Sequence, residues 1–260
     1  MFELIDDITT RIKRERPLIL NITNHVSMDF VANGLLCLGA SPIMSLAEQE
    51  MEELTQLAAV TVINPGTLSD SFIRLSTSAC QAAQRLHKSI VLDPVGAGAS
   101  QYRTTHNHHL LTHYPIALLR GNASEIMALA GASARSKGVE SQHTTQEAIA
   151  AGTHLAEEYG LTVQISGKQD AVIQAQQSVA LFNHGSPLMP QITGTGCLFS
   201  AVIAAFFAVH QNAFEAAQAA TLFYSVCGEI AERQASAPGS FKVCFLDALY
   251  ASPKRGDYAS

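Results

Sequence analysis

The chain has 260 residues, a length that suits one large domain or two small ones. With 47% hydrophobic and 15% charged residues, its composition is typical of a globular enzyme and excludes a disordered or fibrous chain. A formal net charge of −6, without any basic run, argues against nucleic acid or an anionic membrane as the main partner.

The beginning of the chain and its cysteines predict a soluble, cytoplasmic protein. Residues 1–7 are acidic and amphipathic, unlike a signal peptide. The longest apolar run, Leu198 to Val209, is too short to span a bilayer and predicts a buried helix. The five cysteines are scattered and contain no Cys-x-x-Cys pair, so neither a disulfide framework nor a zinc site is indicated.

Short apolar runs alternate with helical patterns along most of the chain. The runs lack the polar alternation of a half-exposed strand, which favours a parallel sheet covered on both faces. These predicted strands are Leu18–Ile22, Ala59–Ile63, Ser89–Leu92, Ile116–Leu119 and Leu161–Ile165. Helices are predicted between them at Met28–Leu38, Ala47–Ala58, Ser71–His87 and Thr144–Tyr159.

This alternation predicts a three-layer α/β/α fold with a mostly parallel central sheet and right-handed crossovers. Two later runs, Ala171–Ala175 and Val179–Phe182, lie close together and predict an antiparallel edge. From Gly194 to Tyr250 the pattern is almost wholly helical. No linker, repeat or low-complexity segment interrupts the chain, so we predict that residues 1–260 form a single domain.

Polar, glycine or proline residues follow each of the five predicted strands. Ligands of open α/β sheets bind beyond the carboxyl ends of the strands, so these residues predict a site at that edge. They are Thr23-Asn24, Asn64-Pro65-Gly66, Asp93-Pro94, Arg120-Gly121-Asn122 and Ser166-Gly167.

The segments on either side of the helix Met28–Leu38 could line a pocket. Asn24 is polar whereas Val26 and Met44 are apolar, and this mixture suits a small, partly apolar molecule. A single methionine is more often core filler, so the alternative for Met44 is a purely structural role.

Two acidic residues follow neighbouring predicted strands. Asp93 precedes a loop of small residues and could hold Mg²⁺, or it could form an Asx-type turn. Glu125 could be a second acid near the metal, or it could complete a capping box with Asn122. Arg120 carries a planar fork of donors that suits a phosphate in transfer. The glycines after Asp93 do not complete a dinucleotide-binding fingerprint, which argues against a dehydrogenase-like protein.

Four histidines lie within eight residues of one another. A metal site is conceivable, but no carboxylate or cysteine accompanies them, so a solvated helix face is the prediction. They are His106, His108, His109 and His113.

The segment Ile192-Thr193-Gly194-Thr195-Gly196-Cys197 is the most informative in the chain. Its glycines allow a tight turn, and the helix that follows begins with N–H groups that have no intrahelical partner. With the helix dipole, these groups form an anion site that suits a phosphate, and Cys197 is predicted in or next to the first helical turn beside it. The alternative is an ordinary strand-to-helix connection.

Six short segments, spread over most of the chain, are specific in combination. They are Asn21–Asn24, Ala32–Leu36, Gly39–Met44, Asp93–Gly98, Arg120–Glu125 and Thr193–Cys197. In this order they resemble the hydroxyethylthiazole kinase family of the ribokinase-like superfamily. The resemblance implies ATP-dependent phosphorylation of the primary hydroxyl of 4-methyl-5-(2-hydroxyethyl)thiazole in thiamine biosynthesis, with Mg²⁺, by a homotrimer whose active sites lie between subunits.

The resemblance also implies roles for individual residues. Met44 and Gly194 match thiazole-binding positions, with Asn24 and Val26 nearby in the pocket. The two ATP contacts are Arg120 and Ser166, where the family more often has threonine, and the acidic pair around Mg²⁺ is Asp93 and Glu125.

Cys197 separates this family from its relatives. Many ribokinase-like kinases carry aspartate there as the base that faces the substrate hydroxyl, whereas hydroxyethylthiazole kinases resemble this chain in having cysteine. A thiol is a poorer base unless its pKa falls, and a helix N-terminus can lower that pKa. Phosphoryl transfer asks more of electrostatic positioning than of a base, so the reaction tolerates a thiol.

Two other functions are compatible with parts of this pattern. A ribokinase-like kinase for another small alcohol, of the hydroxymethylpyrimidine or pyridoxal type, would usually carry the aspartate, so Cys197 counts against it. A catalytically silent ligand-binding relative would be expected to lose the acidic pair or the anion turn, yet Asp93, Arg120, Glu125 and the turn are all present.

Overall fold

A sheet of eight strands runs through the computed structural model, which describes residues 1–131 and 145–258. In chain order the strands are β1 Leu18–Ile22, β2 Ser41–Met44, β3 Val60–Ile63, β4 Ser89–Leu92, β5 Ile116–Asn122, β6 Thr162–Ser166, β7 Asp170–Ile173 and β8 Ala180–Phe182. Their order across the sheet is β2-β1-β3-β4-β5-β6-β7-β8, and β2 to β6 pair in parallel.

The two edges of the sheet differ from its centre. At one edge β7 and β8 are antiparallel, which confirms the predicted antiparallel edge. At the other edge lies β2, which the sequence did not predict as a strand because Pro42 interrupts it. Proline cannot donate a backbone hydrogen bond, and β2 tolerates it because β1 is its only neighbouring strand among the described residues, with Pro42 opposite Ile19.

Helices cover both faces of the sheet, and each face has its own apolar core. One face carries α1 Phe2–Glu15, α2 Met28–Leu38, α8 Thr195–Val209, α9 Ala213–Gln234 and α10 Pro238–Ala251. The other carries α3 Met51–Leu57, α4 Asp70–Arg85, α5 Gln101–His113, α6 Ala123–Leu129 and α7 Thr145–Tyr159. The three-layer α/β/α fold predicted from the sequence is therefore confirmed.

Helix boundaries depart from the predictions by small amounts. The predicted helix Ala47–Ala58 begins as a 3₁₀ turn, Glu48–Glu50, before α3. The predicted Ser71–His87 ends at Arg85, because Lys88 already turns back to hydrogen-bond Ala83 and His87 has a positive φ of 54°. Thr144, the first residue of the predicted Thr144–Tyr159, lies outside the described residues.

The central helix α8 lies under the middle of the sheet and is apolar on nearly all sides. It packs against α1, α2, α9 and the strands β1, β3 and β4, so little of it reaches solvent. It begins at Thr195, three residues before the apolar run, so its first turn lies at the carboxyl edge of the sheet with the residues that form the site below.

Strand periodicity decides which side chains face α8. Val91 of β4 and Leu118 of β5 belong to the core on that face, so Asp93 and Arg120, two residues further on, point to the same side. In the part of the chain that the structure describes, no helix is both long and apolar enough to cross a membrane.

Candidate active site

A cavity of about 730 Å³ opens where the carboxyl ends of β4, β5 and β6 meet the first turn of α8. Six of the nine predicted site residues line it: Asp93, Arg120, Glu125, Ser166, Gly194 and Cys197. Residues from distant parts of the chain therefore converge on one space, at the edge of the sheet that the strand-end residues indicated.

Asp93 is fully buried, at the end of β4. Its Oδ2 accepts hydrogen bonds from Asn64 Nδ2 at 2.9 Å and Ser200 Oγ at 2.7 Å, and it lies 3.8 Å from the guanidinium of Arg120. These partners belong to other elements, which disfavours the Asx-turn alternative. Its Oδ1 has no hydrogen-bond partner among the described residues.

Burial governs the protonation of this carboxyl group. It raises the pKa of Asp93 to about 7, the positive charge of Arg120 works against this, and the negative charge of Glu125 adds to it. A cation at the unpaired oxygen would restore the charged carboxylate, so Asp93 suits a metal ligand.

Glu125 forms the capping box that the sequence offered as an alternative to a metal role. Its backbone N–H donates to Asn122 Oδ1, and its Oε2 accepts the backbone N–H of Asn122 at 2.9 Å. Its Oε1 accepts the backbone N–H of Gly96 at 3.0 Å. The carboxylate is thus held rigidly at the cavity wall, where its oxygens retain lone pairs for a further ligand.

Arg120 is the cation at the centre of the site, and only 8% of its surface is exposed. One terminal nitrogen donates to Ser166 Oγ at 2.7 Å, and the guanidinium lies 5.2 Å from the ring centroid of Phe199. Since Ser166 lies beside Arg120 in space, the two predicted ATP contacts are neighbours. The guanidinium can still offer donors to a phosphate in the cavity.

The turn before α8 requires both of its glycines. Gly194 has φ +93°, and a Cβ there would lie 2.8 Å from the Cβ of Ser27. A Cβ on Gly196 would lie 2.8 Å from a terminal nitrogen of Arg120. The helix has no side-chain cap at Gly194, and the turn itself lines the cavity, so its first N–H groups are available to an anion.

Cys197 is in the first turn of α8, as predicted, and its Sγ accepts a hydrogen bond from Asn24 Nδ2 at 3.3 Å. Burial raises the pKa of this thiol, and the charge of Asp93 raises it further, while the neighbouring polar side chains of Ser27, Asn64 and Asn24 oppose the rise. Loss of solvation is the largest of these effects, and it opposes any lowering of the thiol pKa by the helix N-terminus. Cys197 is a neutral thiol near pH 7.

The three remaining predicted site residues do not line the cavity. Asn24 is buried behind Cys197, where its Nδ2 also donates to Asn64 Oδ1 at 2.9 Å. Met44 is half-buried at the end of β2 and packs against the core, as its alternative interpretation holds. Val26 is 68% exposed.

The histidine cluster is only partly the solvated face that was predicted. His108, His109 and His113 are exposed, but His106 is buried against α4, where Ser76 Oγ lies 3.2 Å from its Nε2. Burial lowers the pKa of His106 to about 4, so it is a neutral core residue. Within residues 1–131 and 145–258, no three His, Cys, Asp or Glu side chains form a metal-binding group.

Sequence reasoning did not assign roles to several residues of the site. Asn64 and Ser200 fix Asp93, and Ser200 could have been noticed as a lone hydroxyl in the apolar helix α8. Asp170 lines the far wall, accepts the backbone N–H of Gly167 at 2.9 Å and has its pKa raised to about 6 by burial. Its position at the start of β7 gave no signal, because a carboxylate there is ordinary turn chemistry.

Solved structures identify the class of fold. A ribokinase-like superfamily protein from Enterococcus faecalis matches with a TM-score of 0.66 at 14% identity, covering 90% of this chain and 85% of its own. With the α/β/α layers and the site at the carboxyl edge, the fold is ribokinase-like. The chain belongs to the Hydroxyethylthiazole kinase family, whose sequence profile matches residues 9–254.

Individual relatives agree with this assignment. The hydroxyethylthiazole kinase of Chlamydia caviae is 42% identical, over 97% of this chain and 96% of its own. That of Oleidesulfovibrio alaskensis is 44% identical, over 94% and 91%. The structure of a hydroxyethylthiazole kinase protein from Pyrococcus horikoshii matches with a TM-score of 0.88 at 37% identity, covering 97% of this chain and 94% of its own.

Proposed function

We propose that this protein transfers the γ-phosphoryl group of ATP to the hydroxyl of hydroxyethylthiazole, giving the phosphate that enters thiamine biosynthesis by salvage. Family membership supports this proposal. The observation that carries it is the meeting, in one cavity, of a buried arginine, a buried aspartate and an uncapped helix N-terminus beside Cys197. This combination stabilises negative charge on a phosphoryl group in transfer.

Each part of the cavity has a distinct task. The N–H groups of the turn before α8 and the guanidinium of Arg120 face the same space, so both can bind the oxygens of the transferring group. Ser166 holds one nitrogen of Arg120 in place and offers its hydroxyl to the nucleotide. The acceptor hydroxyl then lies near Cys197, at the end of the cavity where Asn24 and Ser27 neighbour the thiol.

Asp93 and Glu125 fit a Mg²⁺ ion. Mg²⁺ in kinases uses one or two carboxylates and completes its shell with water and substrate phosphates, and Asp93 has an unpaired oxygen at the cavity. When bound, the ion would neutralise phosphate charge and orient the phosphates for transfer. Asn64 and Ser200 keep Oδ2 of Asp93 occupied, so Oδ1 is the oxygen left for the ion.

Cys197 lines the acceptor side of the cavity as a neutral thiol. Because its raised pKa keeps the thiol neutral, it cannot remove the hydroxyl proton before transfer begins. In a loose transition state the hydroxyl proton leaves late and can pass to an oxygen of the transferred phosphoryl group or to water. Positioning by the turn and Arg120 therefore contributes most of the rate.

An ADP-release assay over a panel of alcohols tests the proposal. With Mg²⁺ and ATP, hydroxyethylthiazole should support faster turnover than hydroxymethylpyrimidine or pyridoxal. Turnover of either of these two alone would assign the chain to another alcohol, and no turnover with any would favour a silent binding protein.

Substitutions of Cys197 test how much a proton acceptor at this position contributes to the rate of phosphoryl transfer. Cys197→Asp is expected to keep the activity or raise it, because a carboxylate accepts a proton more readily and can accept the bond from Asn24. Cys197→Ala should lose about 10- to 100-fold in kcat, no more than the lower limit of general-base effects, while staying above background. Cys227→Ala, a change at a buried cysteine outside the cavity, is the control. Complete inactivity of a folded Cys197→Asp would refute the assignment.

We also infer that the enzyme acts in the cytoplasm as a homotrimer whose subunits share the thiazole site. Two observations support this: Met44, which matches a thiazole-binding position, is only half-buried, and Val26, predicted nearby in the same pocket, is exposed. The free state of the five cysteines suits a reducing compartment. A neighbouring subunit would close the open side of the acceptor pocket.

Light scattering should therefore give three times the mass of 27.7 kDa. Val26→Asp is expected to weaken the assembly and raise KM for hydroxyethylthiazole more than KM for ATP, since burying a charge between subunits is unfavourable. Val243→Asp, at another exposed valine, is the matched control. A fully active monomer would contradict the shared site.

A further inference from the structure

Arg103, near the start of α5, binds two loops that belong to different halves of the site. Its guanidinium donates to the carbonyl oxygens of Pro65 at 2.8 Å and Gly66 at 3.0 Å, in the loop after β3. It also donates to the carbonyl oxygen of Val95 at 3.4 Å, in the loop after β4. All its described hydrogen-bond partners are backbone carbonyl oxygens. The guanidinium therefore fixes the backbone of the two loops and does not form an ion pair with a described side chain.

The loop after β3 supports the acceptor side. Asn64 Oδ1 accepts two hydrogen bonds, one from Asn24 Nδ2 and one from the backbone N–H of Gly66 at 3.1 Å. The same Asn24 Nδ2 also donates to Cys197 Sγ. Gly66 packs so closely on Asn24 that a Cβ there would lie 2.8 Å from the Asn24 side chain. A shift of Gly66 would therefore displace Asn24 and, through it, the surroundings of Cys197.

The loop after β4 supports the phosphate side. Gly96 donates its backbone N–H to Glu125 Oε1, and it has φ +80°. The stem of Arg103 lies directly on this glycine, since a Cβ there would be 2.7 Å from the Arg103 Cδ. A shift of this loop would change the position of both Glu125 and Asp93.

We propose that Arg103 is a positioning residue that fixes the acceptor half of the site relative to the phosphate half. Its kinetic consequence rests on the proposed phosphoryl transfer, whereas the loop connection does not. Asn64 joins the two loops at their base through its hydrogen bond to Asp93, and Arg103 joins them further out, at the carbonyls of Pro65, Gly66 and Val95. The outer parts of the two loops, and with them the distance from the acceptor hydroxyl to the phosphate, therefore depend on this guanidinium. Lysine has one compact ammonium group and cannot reproduce the fork.

Arg103→Met and Arg103→Lys test this, with Arg74→Met as the control. Arg74 is an exposed arginine of α4 that pairs with exposed Glu48. Arg103→Met should lose about 10- to 100-fold in kcat, as small misplacements of reacting groups do, with both KM values changing less than kcat. Arg103→Lys should fall between Arg103→Met and the wild type, and Arg74→Met should match the wild type.

Two further measurements separate positioning from general stability. Hydrogen exchange should accelerate in both 64–67 and 94–98 of Arg103→Met, and in neither segment of Arg74→Met. Millimolar methylguanidinium should restore kcat of Arg103→Ala severalfold without affecting the wild type. Exchange unchanged in either segment, or wild-type kcat in a folded Arg103→Met, would overturn the inference.

The variants also distinguish this inference from the proposed function. If the wild type releases no ADP with hydroxyethylthiazole, the proposed function fails, while the exchange data still decide whether Arg103 joins the loops. If Arg103→Met does not fold, Arg103→Lys and the rescue of Arg103→Ala decide the matter, and wild-type kcat in Arg103→Lys or no rescue would reject it.

Discussion

Asp93→Asn is expected to reduce kcat about 10²- to 10³-fold, the range seen when a preorganised charge-stabilising group is removed. The substitution is nearly isosteric: the amide oxygen can take the place of Oδ2 between Asn64 and Ser200, and the amide nitrogen the place of the unpaired Oδ1. Only the charge that faces the cavity is lost. Steady-state kinetics at saturating ATP and Mg²⁺ measure the effect.

The same variant should not lose stability. The pKa of Asp93 is about 7 in the folded chain, whereas an aspartate in the unfolded chain has its ordinary pKa of 3.8. Between these two pH values the folded state therefore binds more protons than the unfolded state. The free energy of unfolding therefore falls as the pH rises from about 4 to about 7, and it stays reduced above that. At pH 8, without metal or nucleotide, Asp93→Asn should unfold at the wild-type temperature or above it.

Asp7→Asn, at an exposed position of α1, is the control for both measurements. A large fall in melting temperature for Asp93→Asn, together with unchanged kcat in the folded fraction, would mean that Asp93 is a structural residue.

Gly196→Val is expected to abolish turnover, with a loss larger than that of Cys197→Ala. The first carbon of the new side chain would lie 2.8 Å from a terminal nitrogen of Arg120, and the valine methyl groups would extend into the space of the phosphate. Arg120 would be pushed from Ser166, so the anion site would lose its shape and its cation together. Kinetics and nucleotide binding by calorimetry measure the two losses.

Gly194→Ala and Gly239→Ala provide contrasts for this prediction. Gly194 has a positive φ, and its Cβ would meet that of Ser27, so Gly194→Ala should lower stability as well as activity. Gly239 has no atom within 4 Å of a Cβ position, so Gly239→Ala should change neither. Wild-type turnover in Gly196→Val would show that no phosphate binds at this turn.

Sequence patterns predicted the fold well where burial is uniform. The central strands are continuous apolar runs, because helices cover both faces, and four of the five predicted ones end within a residue of the observed strand. The exception, β5, continues through Arg120 to Asn122, where the strand pairs with β6 although its residues are polar. The edge strand β2 was missed because Pro42 is acceptable only at an edge, a property of the assembled sheet.

The candidate site was predictable in its composition but not in its contacts. Strand-end positions placed Asp93, Arg120 and Ser166 at one edge of the sheet, and the comparisons confirm the family that the motifs indicated. The contact of Asn24 with Cys197 spans 173 positions in sequence, and no local pattern encodes such a pair.

Protonation at the site was the least predictable property. The direction of the pKa shift of Cys197 was open from the sequence, since a helix N-terminus lowers a thiol pKa and burial raises it. Only the packing around α8 decides between them, because it determines how much water reaches the sulfur.

The central claim is that the γ-phosphoryl group binds at the turn before α8 and is transferred there to the thiazole alcohol, whose hydroxyl lies beside Cys197. A crystal structure with Mg²⁺, a non-hydrolysable ATP analogue and hydroxyethylthiazole tests it most directly. The γ-phosphate should lie against Gly194–Cys197 and Arg120, the metal on Asp93, and the substrate hydroxyl in line with the phosphate beside Cys197. A nucleotide bound with its phosphates away from this turn, or a hydroxyl pointing away from them, would contradict the account.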